Sequence, residues 1–339
     1  MITGGPPIRS GAAEGIGGSA AEGIGDTDRV PERTTERVRT LITDQPVDPA
    51  LTLAGLRRGS GDPVHRCTPD GAVWRGTRTP DGPASVRIAA DPGRAAVEAR
   101  AWGPGATWVL DRLPALVGAE DDPSGFEPGL PLVATLAKRF AGWRVCRTGR
   151  VFEALMPAVL EQKVTSKEAW RSWRELVWRF GEPAPGPGPA PVTLRVPPDA
   201  ATLAALPSWE WHRAGVGPHR MRTLVRCALL AETLERTLDL PPAEVERAFR
   251  TIPGVGPWTV AEVLQRAHGC PDAVSVGDFH LAKAVGWALA GRPYDDETML
   301  TVLARWPGHR YRVTRLIELA GIMLPRRGPR FALRDYRTL

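Results

Sequence analysis

Between residues 251 and 283 the chain reads TIPGVGPWTVAEVLQRAHGCPDAVSVGDFHLAK, and no other stretch limits the possible folds as sharply. Ile252-Pro253-Gly254-Val255-Gly256-Pro257 punctuates two apolar, helix-like runs with proline and glycine, the pattern of a tight hairpin between helices. Gly254 and Gly256 flank one aliphatic residue; glycine accepts positive φ and lets other backbone come close. Helix ends leave peptide groups unpaired, so a helix starting after Gly256 presents N–H groups to which a phosphate can bind whatever the base it carries. Farther on, Ser275-Val276-Gly277-Asp278 sets an acid just past a turn and just before another helical run. A bare peptide hairpin followed by an isolated carboxylate suits a device that holds a phosphate backbone beside a reactive acid. Each half also has a plainer reading: an ordinary helix–helix turn, and an N-cap for the run Phe279–Leu289.

The rest of the chain falls into unlike parts. Residues 1–40 are rich in Gly, Ala, Glu and Arg, carry the near-repeat AAEGIGGS/AAEGIGD, and hold too little apolar surface to offset ordering entropy. They are expected to be disordered, with at most a marginal helix at 33–40. From 41 to 120 the pattern predicts a short helical piece at 51–56 and strands at 64–67, 72–78, 85–90 and 95–100. The turns Pro69-Asp70-Gly71, Pro80-Asp81-Gly82 and Asp91-Pro92-Gly93 separate them. A helix follows at 106–116, with Trp108, Val109, Leu113 and Leu116 at helical spacing. The fold class is α+β, a small antiparallel sheet with a helix on one face ahead of an all-helical body at 121–325. Helices in that body are predicted at 132–140, 151–162, 166–180, 199–206, 220–237, 242–250, 260–268, 279–289, 295–305 and 309–320. A polyproline-like linker interrupts them at 181–191, and a basic tail occupies 326–339.

Charge and cysteine content narrow the function classes. The net charge of +6 permits nucleic-acid binding without requiring it, and almost all of it is arginine. No apolar run approaches the ~18 residues that a membrane span needs. The N-terminus lacks a basic region followed by an apolar one, so a cytoplasmic location is expected. Cys67, Cys146, Cys227 and Cys270 lie far apart with no C-x-x-C pair, which argues for free thiols over zinc or iron–sulfur ligation.

The residues IPGVGPWTVAEVL followed by VSVGDFHLAK resemble the helix-hairpin-helix DNA glycosylases, and within them the DNA-3-methyladenine glycosylase II family. VLEQKVTSKEAW (159–170), GVGPHRMRTLVRCA (215–228) and WPGHRYRVTRLI (306–317) are similar to further family stretches in the same order. The N-terminal sheet resembles the family's TATA-binding-protein-like domain, so the likeness runs over about 41–325. The resemblance implies excision of an alkylated, cationic purine flipped out of double-stranded DNA, by a monomeric enzyme of base excision repair associated with the nucleoid. It makes Asp278 the catalytic carboxylate and Trp258, which stands where strand-cutting relatives carry a lysine, a stacking surface for the base. It implies no lyase step, no cofactor required for the chemistry and no iron–sulfur cluster. A monovalent cation is implied at the hairpin 250–258, held by the backbone carbonyls of Arg250, Ile252 and Val255.

DNA contacts carried over are Gly254, Gly256, Pro257, Thr259, Gln162 and Lys163, the last standing where the family places an apolar wedge. Arg220 and Arg222 are additional candidates for phosphate contact, against the plainer reading of solvated helix residues. Glu262 and Glu318 stand where the family has aromatic pocket positions; Glu262 either favours positively charged lesions, or faces solvent, or caps a neighbouring helix. Two other functions stay open: a DNA-binding module without chemistry, and a glycosylase for a different lesion.

Overall fold

The structure, a computed structural model, describes residues 35–187 and 193–325. The N-terminal extension up to residue 34, the middle of the linker and the basic tail lie outside the described residues.

Five strands form one antiparallel sheet in the order β1-β5-β4-β3-β2, where β1 is Arg37–Ile42, β2 His65–Cys67, β3 Val73–Thr79, β4 Gly82–Asp91 and β5 Ala96–Trp102. The meander β2–β5 follows the predicted turns. β1 is a correction: residues expected to be disordered or weakly helical pair with β5, from Arg37 opposite Ala101 to Ile42 opposite Ala96. The reason is that β1 is an edge strand whose side chains stay largely exposed, so main-chain pairing holds it and no apolar pattern announces it.

One face of the sheet is apolar through Val73, Val86, Ile88, Val97 and Ala99, covered by α1 (Pro49–Leu53), α2 (Ala106–Asp111) and α3 (Leu113–Leu116). The opposite face carries Trp74 stacked on Trp102, with ring centroids 5.4 Å apart. The linker is not a free spacer at its ends. Glu182–Pro183 (β6) and Arg195–Val196 (β7) pair as a two-stranded ribbon against the sheet, where Ser85 Oγ donates to Pro185 O and Arg195 N–H to Pro63 O.

The helical body is built around two cores. The first gathers α5 (Val151–Leu160), α6 (Ser166–Phe180), α7 (Ala200–Ala205), α8 (Ser208–Arg213), α9 (Pro218–Leu229), α10 (Ala231–Glu235), α11 (Pro242–Phe249) and α12 (Pro257–Val263) around Leu155, Leu176, Trp211, Leu224 and Phe249. The second joins α4 (Pro131–Arg139) to α13 (Leu281–Ala290), α14 (Asp296–Leu303) and α15 (Arg310–Leu319) around Val285, Met299, Leu303, Trp306 and Ile317. The predicted single helix 220–237 breaks at Leu230, whose φ of −103° and ψ of 6° leave the helical region and redirect α10 toward the first core.

The chain crosses from the first core to the second between α12 and α13. Asp278 lies in that crossing. A π-helical turn, Leu264–His268, prolongs α12, and Gly269 in the left-handed region ends it. Sheet and body are locked together where Arg75 and Thr77 of β3 both bind the Glu153 carboxylate on α5.

Candidate active site

The hairpin joins α11 to α12, and its two glycines have different reasons to be there. Gly254 has φ +98°, and a Cβ on it would stand 2.0 Å from Thr223 Oγ1, so both conformation and space require glycine. Gly256 has φ −106°, and no atom lies within 4 Å of where its Cβ would be. The protein's own packing therefore leaves the start of α12 open, and no side chain caps it. Ile252 and Val255 point into the first core and pin the turn from below.

Not every expected DNA contact lies on this surface. Pro257 and Lys163 are exposed, and Lys163 sits at the tip of the α5–α6 loop with the left-handed φ of +54°. Thr259 is buried, and its hydroxyl accepts from Gln162 Nε2 at 2.9 Å. The same Gln162 amide donates to Gly254 O at 2.9 Å, so these two side chains latch the loop to the hairpin instead of projecting outward. Arg220 is likewise a correction: buried, it donates to Leu160 O at 2.7 Å and Gly215 O at 3.1 Å, which fixes the start of α9 to the end of α5. Arg222 is exposed. Arg226, which the sequence did not single out, is exposed one turn along and reaches Pro253 O of the hairpin.

Asp278 is held on both oxygens. His280 N–H and Leu281 N–H donate to Oδ1 at 2.7 and 2.9 Å, capping α13. Oδ2 accepts from Trp258 Nε1 at 3.1 Å. The cap and the indole contact thus fall on different oxygens, and both Asp278 and Trp258 are half-buried. The crossing loop is anchored at three points. Arg310 binds Asp272 through Nε and Nη2 at 2.9 and 2.5 Å, Ser275 Oγ donates to Glu262 Oε1 at 2.7 Å, and Gly277 N–H donates to Asp296 Oδ2 at 3.0 Å. Next to the acid the Phe279 ring is 63% exposed, with Lys283 Nζ 3.9 Å from its centroid.

One turn below Trp258, Glu262 neither faces solvent nor caps a helix. It is buried, with Oε2 2.8 Å from Arg266 Nη1 and Oε1 on Ser275. Burial alone would lower the Arg266 pKa, but Glu262, Tyr311, Glu161 and Glu318 together hold it above its ordinary value. A carboxylate so matched is not a bare charge, since a guanidinium and a hydroxyl already share it.

At the hairpin, Ile252 C=O accepts from Val255 N–H at 3.0 Å and keeps one lone pair. Neutral carbonyls of this kind suit a hard monovalent ion. Among the described residues no group of three or more His, Cys, Asp or Glu side chains gathers where it could hold a metal. All four cysteines are free thiols. A cavity of about 390 Å³ lined by Trp108, Arg112 and Arg147 includes none of the residues above.

The fold is shared with solved DNA glycosylases, in line with the α+β architecture that the sequence resemblance implied. The 3-methyladenine DNA glycosylase from Archaeoglobus fulgidus superposes with a TM-score of 0.70 at 17% identity, covering 82% of this chain and 97% of that one. An 8-oxoguanine glycosylase/lyase from Clostridium acetobutylicum gives 0.65 at 11% identity, covering 85% and 98%. In sequence, the probable bifunctional transcriptional activator/DNA repair enzyme AlkA of Mycobacterium tuberculosis is 28% identical over 198 residues. That match takes in 56% of this chain and 38% of the relative, so the chain spans well under half of its length. No family model matches the chain.

Proposed function

We propose that the chain is a monofunctional DNA glycosylase that hydrolyses the N-glycosidic bond of an alkylated purine turned out of double-stranded DNA. The observation that carries this reading is Asp278, a half-buried carboxylate fixed by two backbone N–H groups and one indole N–H beside an uncapped helix start. As a base departs, positive charge develops on the deoxyribose, and a preoriented carboxylate stabilises it or orients the attacking water. A base alkylated on a ring nitrogen already leaves readily, so this assistance suffices. The target base must leave the stack to reach such an acid.

Trp258 has its N–H turned to Asp278, which leaves the indole face for the base; stacking on a cationic purine contributes about 1–2 kcal/mol. No lysine stands at this position. Lys283, the lysine nearest Asp278 in sequence, donates to Phe279 O at 3.0 Å, so a Schiff base and strand cleavage are not expected. Gly254, Gly256 and Pro257 would lie along a phosphate, with Lys163 reaching into or beside the duplex. A monovalent cation held by the carbonyls of Arg250, Ile252 and Val255 would add positive charge where the phosphate approaches.

A second reading has an observation behind it: the bonds from His280 and Leu281 are what a purely structural capping acid would make. In that case the protein is a DNA-binding module without chemistry. Incubation with methylated duplex DNA separates the two. Free methylated purine and alkali-labile sites support the glycosylase, whereas DNA binding without base release supports the module.

A further inference from the structure

We infer that Gln265 is a positioning residue for Asp278: acting through Ser275, it fixes where the acid stands relative to Trp258. The inference rests on the glycosylase reading above, because it assigns a support to the acid which that reading makes catalytic.

Trp258, Glu262 and Gln265 stand at successive four- and three-residue spacings along α12 and its π-helical continuation, so their side chains share one side of it. The crossing loop is bound to that side at three levels. Asp278 Oδ2 accepts from Trp258 Nε1 at 3.1 Å, Ser275 Oγ bonds both Glu262 and Gln265, and Ala273 O accepts from Gln265 Nε2 at 2.8 Å. As the helix advances from Trp258 to Gln265, the loop recedes from Asp278 to Ala273. Helix and loop therefore run antiparallel, the loop strapped along the helix.

Gln265 holds the foot of this strap. It is buried, and Ala273 O can only accept, so the amide nitrogen must face it. The same nitrogen donates to Ser275 Oγ at 3.0 Å. That hydroxyl gives its own hydrogen to Glu262 Oε1 at 2.7 Å, and Glu262 Oε2 lies 2.8 Å from Arg266 Nη1. Gln265 Oε1 accepts from Arg266 Nη1 at 3.3 Å, which closes the ring. The hydrogens of Gln265 and Ser275 thus each have one place to go, and a satisfied buried network of this kind specifies one arrangement.

The link from the network to the acid is one turn long. Ser275 C=O accepts from Asp278 N–H at 3.2 Å, and Gly277, at φ +88°, makes the turn in the left-handed region. The other bond on this turn, from Gly277 N–H to Asp296 Oδ2, is exposed to water, so the buried hold comes from α12 and its continuation. Glu262 and Gln265 contribute to it differently. A carboxylate accepts a hydroxyl from a broad range of directions. The Gln265 amide, bonded at once to a backbone carbonyl and to a hydroxyl two residues on, fixes both the position and the direction of the segment. Without it Ser275 keeps the Glu262 contact alone and can turn about it, and Asp278 moves with the turn. Misplacing a reacting group by about 1 Å costs up to ~100-fold in rate.

Gln265→Met keeps the length of the side chain and removes its donors. Two readouts are followed: the indole N–H resonance of Trp258, assigned with Trp258→Phe, and the single-turnover rate of 7-methylguanine release from duplex DNA, with the duplex Kd measured alongside. The variant is expected to move the resonance, to lower the rate about tenfold and to leave the Kd within about twofold. Ser275→Ala, a smaller change that leaves the helix untouched, is expected to do the same. In an Asp278→Ala background, which takes away the indole's acceptor, Gln265→Met is expected to leave the resonance where it was. An unmoved resonance in either variant, a shift that persists without the Asp278 carboxylate, an unchanged release rate, or a loss of binding in step with the rate overturns the inference. A wild type that binds the duplex and releases no base would instead sink the glycosylase reading, and the resonance would still decide whether Gln265 places Asp278.

Discussion

Asp278 shows how one carboxylate carries two duties, because its cap and its indole contact use different oxygens. Its capping position was legible from its place after a glycine turn and before a helix. Its supports were legible only in part. Glu262 and Arg266 stand at the four-residue spacing of a helical ion pair, but the arrival of Ser275 from a separate loop is a tertiary event that no local pattern announces. Since that pair is largely buried, Arg266→Ala leaves a charge unmatched and should cost about 3–5 kcal/mol in urea unfolding; a loss below ~1 kcal/mol would mean the pair is well solvated. A second buried group sets a pH dependence. Desolvation, with Arg75, Arg57, Arg58 and Arg66 nearby, lowers the His65 pKa to about 3. Unfolded it titrates near 6.5, so between the two values the unfolded chain binds the extra proton. The neutral buried imidazole therefore contributes fully above about pH 6.5, and that contribution falls as pH drops toward 3, by up to ~1.4 kcal/mol per unit. Unfolding midpoints followed from about pH 7 to 4 should fall less steeply for His65→Gln than for the wild type. Equal slopes would show that His65 titrates normally.

At the scale of elements, the helices of the body and the meander of the sheet could be read from periodicity and turn residues; α6 matches its predicted span of Ser166–Phe180. What escaped were elements with no apolar signature. β1, RVRTLI, is a mostly exposed edge strand, and α8, SWEWHR, is too short to show a period. The hairpin was legible as a turn, but not the division of labour between its glycines. Gly254→Ala collides with Thr223 in a left-handed backbone and should destabilise the fold by more than ~1 kcal/mol. Gly256→Ala meets no protein atom, so its melting temperature should match the wild type; on the proposed reading DNA affinity falls, because the new methyl would stand in the path of a phosphate. Melting curves and DNA titrations of both variants test this. Equal DNA affinity for Gly256→Ala and wild type would remove the hairpin from the interface.

For the whole molecule, the placement of Asp278 between two cores matters more than any single contact. α12 belongs to one core and α13 to the other, so the crossing loop with its acid is set by rigid elements on both sides. Sequence patterns find the helices but not how they divide between cores, because α4, far upstream, completes the second one. On the proposed glycosylase reading, Trp258 standing in place of a lysine has a consequence for the products. Borohydride treatment during turnover should trap no covalent DNA adduct, and strand breaks should appear only after alkali or heat; a trapped adduct would reveal an amine nucleophile. The most direct measurement is the single-turnover rate of methylated-purine release from duplex DNA by wild type and Asp278→Asn. The predicted result is release by the wild type and a loss of at least ~100-fold in the variant, with lesion binding retained. Equal rates in the two proteins, or a wild type that binds the duplex and releases nothing, would contradict it.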